Sequence, residues 1–285
     1  MVSVRHWFCA YIFTYVAYFY TFPTPYTSVL YLNFYRKIMA SKIKLRVVED
    51  GSVVALEAAI LLVDEVRRRP DAVLGLATGS TPEATYAELV RLHREEGLSF
   101  ARVRSVNLDE YAGLDGEHEQ SYRQYMQRHL FNHIDIRLWN ALVPDGVAVD
   151  AEAECRAYEQ RIQGLGGVDM WLTGIGTNGH VAFNEPGSTA DSRTRLVDLT
   201  TATIESNSPL FAHADEVPRR AFTVGIETLM ASRRLLLLAT GESKAAAIAA
   251  AIEGEVSSAC PASFLQEHAD CTFLLDRAAA THLSR

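Results

Sequence analysis

From residue 43 onward the chain alternates short, almost unbroken apolar runs with longer stretches of helical spacing, and this alternation limits the fold more than any other feature. The runs at 44–50, 72–77, 103–108, 168–175, 195–199, 221–226, 234–240 and 271–276 read as strands. The segments 52–69 (ended by Pro70), 82–97, 121–134, 152–165 and 242–254 read as helices. A strand that is apolar on both faces must be covered on both faces. The pattern therefore predicts an α/β fold with a mostly parallel, doubly wound, Rossmann-like sheet and helices on either side. Ligands of such sheets collect at the carboxyl ends of the strands, so residues that do chemistry are expected just after strands. No repeat, low-complexity linker or charge block divides residues 43–285, and one catalytic domain over 39–285 is expected.

Residues 1–38 differ in kind, holding 13 of the 27 Phe, Trp and Tyr residues. The apolar segment Trp7–Phe22 is shorter than the roughly 20 residues of a usual spanning helix, and no small-residue cleavage pattern follows it. A membrane anchor, a packed arm and upstream sequence outside the working protein all fit this composition. The return to ordinary composition at Met39 favours the last, with translation starting there.

The formal charge of −8 excludes a general nucleic-acid binder, which needs a surplus of Lys and Arg. Cys9, Cys155, Cys260 and Cys271 are scattered, without the spacing of a metal site or a disulfide framework. A reducing cytoplasm suits them, and no metal and no membrane association are expected for residues 39–285.

Three loops follow three of the expected strands. In "LGLATGSTPEATY", Thr78, Gly79, Ser80 and Thr81 precede Pro82, a favourable first helical residue. Such a turn cradles a phosphate on backbone N–H groups and the helix dipole, without the lysine of a nucleotide triphosphate loop. A helix capped by Thr81 accounts for it equally. In "NLDEYAGL", Asp109 and Glu110 leave a strand together, either as solvated turn residues or as the source of a carboxylate base. "LTGIGTNGHVAFNEPGS" carries Gly174, Gly176 and Gly179 in a G-x-G-x-x-G spacing. A dinucleotide fingerprint needs a helix after the last glycine, yet Pro186 and Gly187 block one. The glycines then serve a loop that presents Asn178, His180 and Glu185, an imidazole for proton transfer with polar groups to fix its tautomer.

Taken together, "GLATGSTP", "NLDEYAGL" and "GIGTNGHVAFNEPGS" resemble the three signature segments of the glucosamine-6-phosphate deaminase family, in order. "SYRQYMQRHLFNHIDI", "TVGIETLM" and "GESKAAAIAAAIEG" extend the resemblance over about residues 43–276. It implies conversion of an amino-sugar phosphate to fructose 6-phosphate and ammonia without a cofactor. Asp109 matches the base that moves a proton from C2 to C1. His180 matches the group that assists ring opening, with Glu185 as its supporting carboxylate. Thr78 to Thr81 match the phosphate loop, and Lys244 a phosphate-binding lysine. The implied partner is a small-molecule sugar phosphate. Related readings are a 6-phosphogluconolactonase-like hydrolase and a sugar-phosphate-sensing domain.

The chain departs from the family pattern at several positions. Asn178 replaces an aspartate found in some members, and its carbonyl is expected to accept the imidazole N–H. Pro209 stands where an arginine that binds the phosphate is expected, leaving Lys244 and residues 78–81 to hold the phosphate, or Arg219 or Arg220 to substitute. Arg195 matches one position of an allosteric site, but Val197 replaces a lysine. A monomer or simple oligomer without activation is therefore expected.

Overall fold

The computed structural model describes residues 43–213 and 216–284. The expectations for residues 1–38 and for Met39 lie outside the described residues. Ten strands are present: β1 Ile43–Val48, β2 Val73–Leu76, β3 Arg104–Asn107, β4 Asp109–Tyr111, β5 Ala141–Leu142, β6 Met170–Thr173, β7 Arg195–Asp198, β8 Arg220–Thr223, β9 Leu235–Ala239 and β10 Cys271–Asp276. Seven helices accompany them: α1 Gly51–Arg68, α2 Ser80–Glu96, α3 Tyr122–His129, α4 Ala151–Gly164, α5 Thr201–Asn207, α6 Ile226–Met230 and α7 Ala245–Glu253.

Seven strands form one sheet in the order β1-β10-β9-β6-β2-β3-β5, and every pairing in it is parallel. The side chains of β9 show why both faces are covered. Leu236 and Leu238 pack with α1 and α2, while Leu235, Leu237 and Ala239 pack with α4 and α7. Each such leucine contributes about 1.5–3 kcal/mol by leaving water, so a strand buried on both sides is worth its continuous apolar run.

The runs at 195–199 and 221–226 are strands, but not of this sheet. β7 and β8 pair antiparallel with each other, and β8 pairs antiparallel with β4, a strand that the sequence pattern did not reveal. Leu108 links the two sheets. Its N–H donates to Leu76 O at the end of β2, and its carbonyl accepts from Val224 N just beyond β8.

The chain runs from β2 outward through β3 to β5, then returns to β6 on the other side of β2 and proceeds to β9 and β10. The strand order therefore reverses between β2 and β6, which opens a crevice at their carboxyl ends. Among the described residues no helix is long and apolar enough to cross a membrane. None of their His, Cys, Asp and Glu side chains form a group able to hold a metal ion.

Candidate active site

A cleft of about 320 Å³ lies at this crevice, lined by the carboxyl ends of four contiguous strands, β9, β6, β2 and β3. Residues Thr78 to Pro82 enter it from β2, Asp109 from the β3–β4 junction, Gly174 to Thr177 and His180 from β6, and Lys244 from β9. Three inter-strand spacings separate the outermost contributors, roughly 14 Å.

The β2 loop begins α2 earlier than its proline suggests. Gly79 is the N-cap, Ser80 and Thr81 are already helical, and Pro82 is the third helical residue, so Thr81 does not cap the helix. Gly79 adopts φ +95°, which a residue with a Cβ would hold only under strain. Side chains cap α1, α3, α4 and α5, namely Asp50, Ser121, Asp150 and Thr200, whereas α2 has no side-chain cap. Its first N–H groups have no intrahelical acceptor and belong to residues that line the cleft, where an anion would satisfy both them and the dipole. Tyr125 and Tyr86 fix the loop from behind by donating to Gly79 O and Ala77 O at 2.6 and 2.5 Å.

Lys244 is the single Lys or Arg lining the cleft. It is half-buried, and this desolvation lowers its pKa. It makes no ion pair with any described residue, so its charge is free for a ligand. Gly241 N, three residues earlier, is clamped by both carboxylate oxygens of Asp276 at the end of β10. Arg219 and Arg220 do not line the cleft, and Pro209 sits in a short turn after α5, also away from the lining. Among the described residues no arginine therefore lines the cleft in place of the one that the family pattern puts at 209.

Asp109 and Glu110 occupy β4 and are not solvated turn residues. They are 6% and 2% exposed, and their side chains point to opposite faces. Asp109 faces the cleft without a hydrogen-bond partner. Burial, and then the neighbouring Glu110, pushes its pKa up to about 8. Burial also raises Glu110, to about 7, against three backbone N–H donors from Tyr111, Tyr122 and Arg123 at 2.8, 2.8 and 3.0 Å.

His180 reaches the cleft from the glycine-rich loop. Gly176 lies against its ring so closely that a Cβ there would collide with the imidazole. Nδ1 faces Glu185 Oε1 at 3.4 Å, an electrostatic contact, while the ring nitrogen makes no well-formed hydrogen bond. Burial on its own would raise the pKa of Glu185. The contact with His180 and the hydrogen bonds from Thr203 and Asn178 outweigh burial and hold it at about 2. Thr203 Oγ1 donates to Glu185 Oε1 at 2.5 Å, and Asn178 Nδ2 to Oε2 at 2.6 Å.

Asn178 departs from the sequence expectation. Its carbonyl accepts the backbone N–H of His180 at 3.2 Å rather than the ring N–H, and its amide holds Glu185. Ala182, also in the lining, has φ +50°, a strained value for a residue with a side chain. Thr203, Ser206 and Asn207 of α5, together with Tyr122 and Phe183, complete the cleft wall. None of these five stood out in the sequence. Arg195 lies behind the glycine-rich loop, donating to Asn184 Oδ1 at 2.8 Å and Ser188 Oγ at 3.0 Å.

Comparison with known proteins joins this geometry to a family. The profile described as glucosamine-6-phosphate isomerases/6-phosphogluconolactonase matches residues 52–274. Glucosamine-6-phosphate deaminase 2 of Giardia intestinalis is 52% identical over 238 residues, covering 83% of this chain and 90% of the relative. Glucosamine-6-phosphate deaminase 1 of Bacillus subtilis is 50% identical over 224 residues, covering 79% and 93%. A solved monomeric glucosamine-6-phosphate deaminase superposes with a TM-score of 0.83 at 47% identity, over 84% of this chain and 100% of that one. The 6-phosphogluconolactonase of Trypanosoma brucei shares the fold, with a TM-score of 0.69 at 21% identity over 85% and 99%.

Proposed function

The chain belongs to the glucosamine-6-phosphate isomerase/6-phosphogluconolactonase family, and from that premise we propose that it converts glucosamine 6-phosphate to fructose 6-phosphate and ammonia. One observation carries the reading. A hydrogen-bond-free carboxylate (Asp109), an imidazole (His180), an uncapped helix N-terminus and an unpaired lysine (Lys244) all line one cleft.

The phosphate binds to the N–H groups at residues 79–81, the hydroxyls of Thr78, Ser80 and Thr81, and Lys244. It does not react. Its anchoring offsets the entropy lost when the sugar is oriented over the base. His180, steadied by Glu185 and Asn178, moves the proton between the anomeric hydroxyl and the ring oxygen, opening the pyranose to an aldehyde. Asp109 then takes the proton from C2, and the electron pair flows through C1 onto the aldehyde oxygen, which is protonated. Return of the proton to C1 leaves an imine at C2, and water adds there to expel ammonia. A base whose pKa lies near neutral pH suits a carbon acid, and positioned acid–base help of this kind is worth ~10²–10⁴-fold.

The steps use only side chains and water, and so no cofactor. Water cleaves the C–N bond, which classes the reaction with hydrolases. We place it in amino-sugar catabolism, at the utilisation of N-acetylglucosamine, in the cytoplasm, with residues 39–285 as the catalytic unit. A lactonase reaction requires no proton shuttle between adjacent carbons, so the pairing of Asp109 with His180 favours the deaminase over the hydrolase alternative. A coupled assay for ammonia and fructose 6-phosphate on the wild type and Asp109→Asn tests the proposal. Turnover by the wild type with a loss of at least ~10²-fold in the variant is expected; equal turnover removes Asp109 as the base.

A further inference from the structure

Glu110 neither lines the cleft nor pairs with a base, yet it is among the most deeply buried carboxylates of the described residues. Both of its oxygens are occupied. Oε1 accepts from Tyr111 N and Tyr122 N, and Oε2 from Arg123 N. The last two donors are the first N–H groups of α3, so the carboxylate sits on the positive end of that helix, where a negative charge is favoured. Three N–H donors stabilise the ionised form more strongly than a protonated one.

The same bonds tie β4 to α3. Tyr122, the first residue of α3, stands in the cleft wall, with its ring 4.8 Å from that of Tyr111 and stacked on Phe183 at 6.2 Å. Asp109 is the preceding residue of β4 and points the other way. We propose that Glu110 is a positioning residue for the base: a carboxylate, clamped by three N–H groups, that fixes Asp109 and Tyr122 relative to each other and sets a second negative charge beside Asp109. This rests on the reading of Asp109 as the C2 base.

The other groups around the pair do not supply such a charge. Tyr111, Tyr122 and Tyr158 are buried phenols whose pKa values are raised, so they stay neutral. Arg123 on α3 is the cation near Glu110 and favours its ionised form. The β8 partners of Asp109 and Glu110, Thr223 and Phe222, carry no charge. His180 and Lys244 share the cleft with Asp109, and a cation there opposes proton uptake. Asp109 is raised by burial first and by Glu110 second, while Glu110 is the lower of the two, about 7 against about 8.

The test is a carboxyl titration by carbon NMR on protein labelled at Asp Cγ and Glu Cδ, without substrate. The Asp109 signal is assigned by its loss in Asp109→Asn. In Glu110→Gln its midpoint is expected to fall by about one pH unit, a tenfold loss of proton affinity, and Glu110→Asp, which keeps the charge, is expected to restore it. An unmoved midpoint in Glu110→Gln overturns the proposal. If Glu110→Gln does not fold, Asp109→Asn decides alone. There the Glu110 signal must titrate below the wild-type Asp109 midpoint, and titration at or above it overturns the proposal. Because no turnover is needed, a wild type that releases no ammonia refutes the deaminase reading separately.

Discussion

Gly176→Ala isolates the imidazole from the rest of the site. A Cβ at 176 would lie 2.5 Å from His180 Nε2, and closer still to Cε1 and Nδ1. A non-bonded carbon needs about 3.5 Å, so the ring must retreat by about 1 Å or more. Gly176 is not among the residues with positive φ, so alanine brings no backbone strain. The colliding atoms are the far end of a side chain that can swing away, so the cost in stability is small. Loss of glycine entropy in the unfolded chain even offsets it by about 0.4–1 kcal/mol. Activity should respond quite differently, because a 1 Å misplacement of a reacting group can cost on the order of 10²-fold. The expected result is therefore a Tm within a few degrees of wild type, a kcat for ammonia release down ~10²-fold, and a KM changed less than threefold, since the phosphate anchors are untouched. A variant retaining more than a third of wild-type kcat would refute the reasoning, as would one that loses its fold and activity together.

Three further outcomes follow from the same geometry. Lys244→Ala removes the single cation of the cleft and should raise KM ten- to a hundredfold, about 1.5–3 kcal/mol, in steady-state kinetics with varied substrate; an unchanged KM would mean that the α2 N-terminus holds the phosphate alone. Asn178→Asp replaces a donor 2.6 Å from Glu185 with a second carboxylate, so the two must share a proton and the pH–rate profile should move; an unmoved profile would reduce Asn178 to a spacer. Asp109 binds its proton more tightly when folded, with a pKa near 8 against 3.8 for the free group. Its stabilisation is complete below about pH 4 and lost as pH rises through 8. Asp109→Asn, which mimics the protonated form, should then gain on wild type between pH 6 and 9 by about 2–3 kcal/mol, ~4–12 °C in thermal melts, and a pH-independent difference would contradict the burial argument.

The central strands of the large sheet, β2, β6, β9 and β10, were legible because they are buried on both faces and therefore apolar throughout, whereas its edge strand β5, two residues long, left no pattern to read. The small sheet was not legible. Asp109–Tyr111 is three residues long and opens with two acids, and nothing in the spacing of 195–199 or 221–226 encodes strand direction. The start of α2 was misread because Pro82 suits the first turn generally, not only its first position. The principal site candidates stood in the sequence because glycine, proline and chemical side chains cluster in three loops. Thr203 and Tyr122 did not, since a hydroxyl that steadies Glu185 and a ring that walls the cleft look like ordinary helix residues until the chain is folded. Asn178 was found, but its partner was misassigned, because the spacing of two residues fits either the ring or the backbone of His180.

Leu108 gives the site an unusual intolerance. It bonds to one sheet through its N–H and to the other through its carbonyl, so no slack separates the sheet that carries the β2 loop from the strand that carries Asp109. Side chains along a strand alternate faces. A single added residue at this joint would turn Asp109 onto the α3 face, whereas an added pair would preserve the facing but carry the carboxylate about 7 Å along the strand. The reach of the Asp109 carboxylate into the cleft is set by one peptide unit.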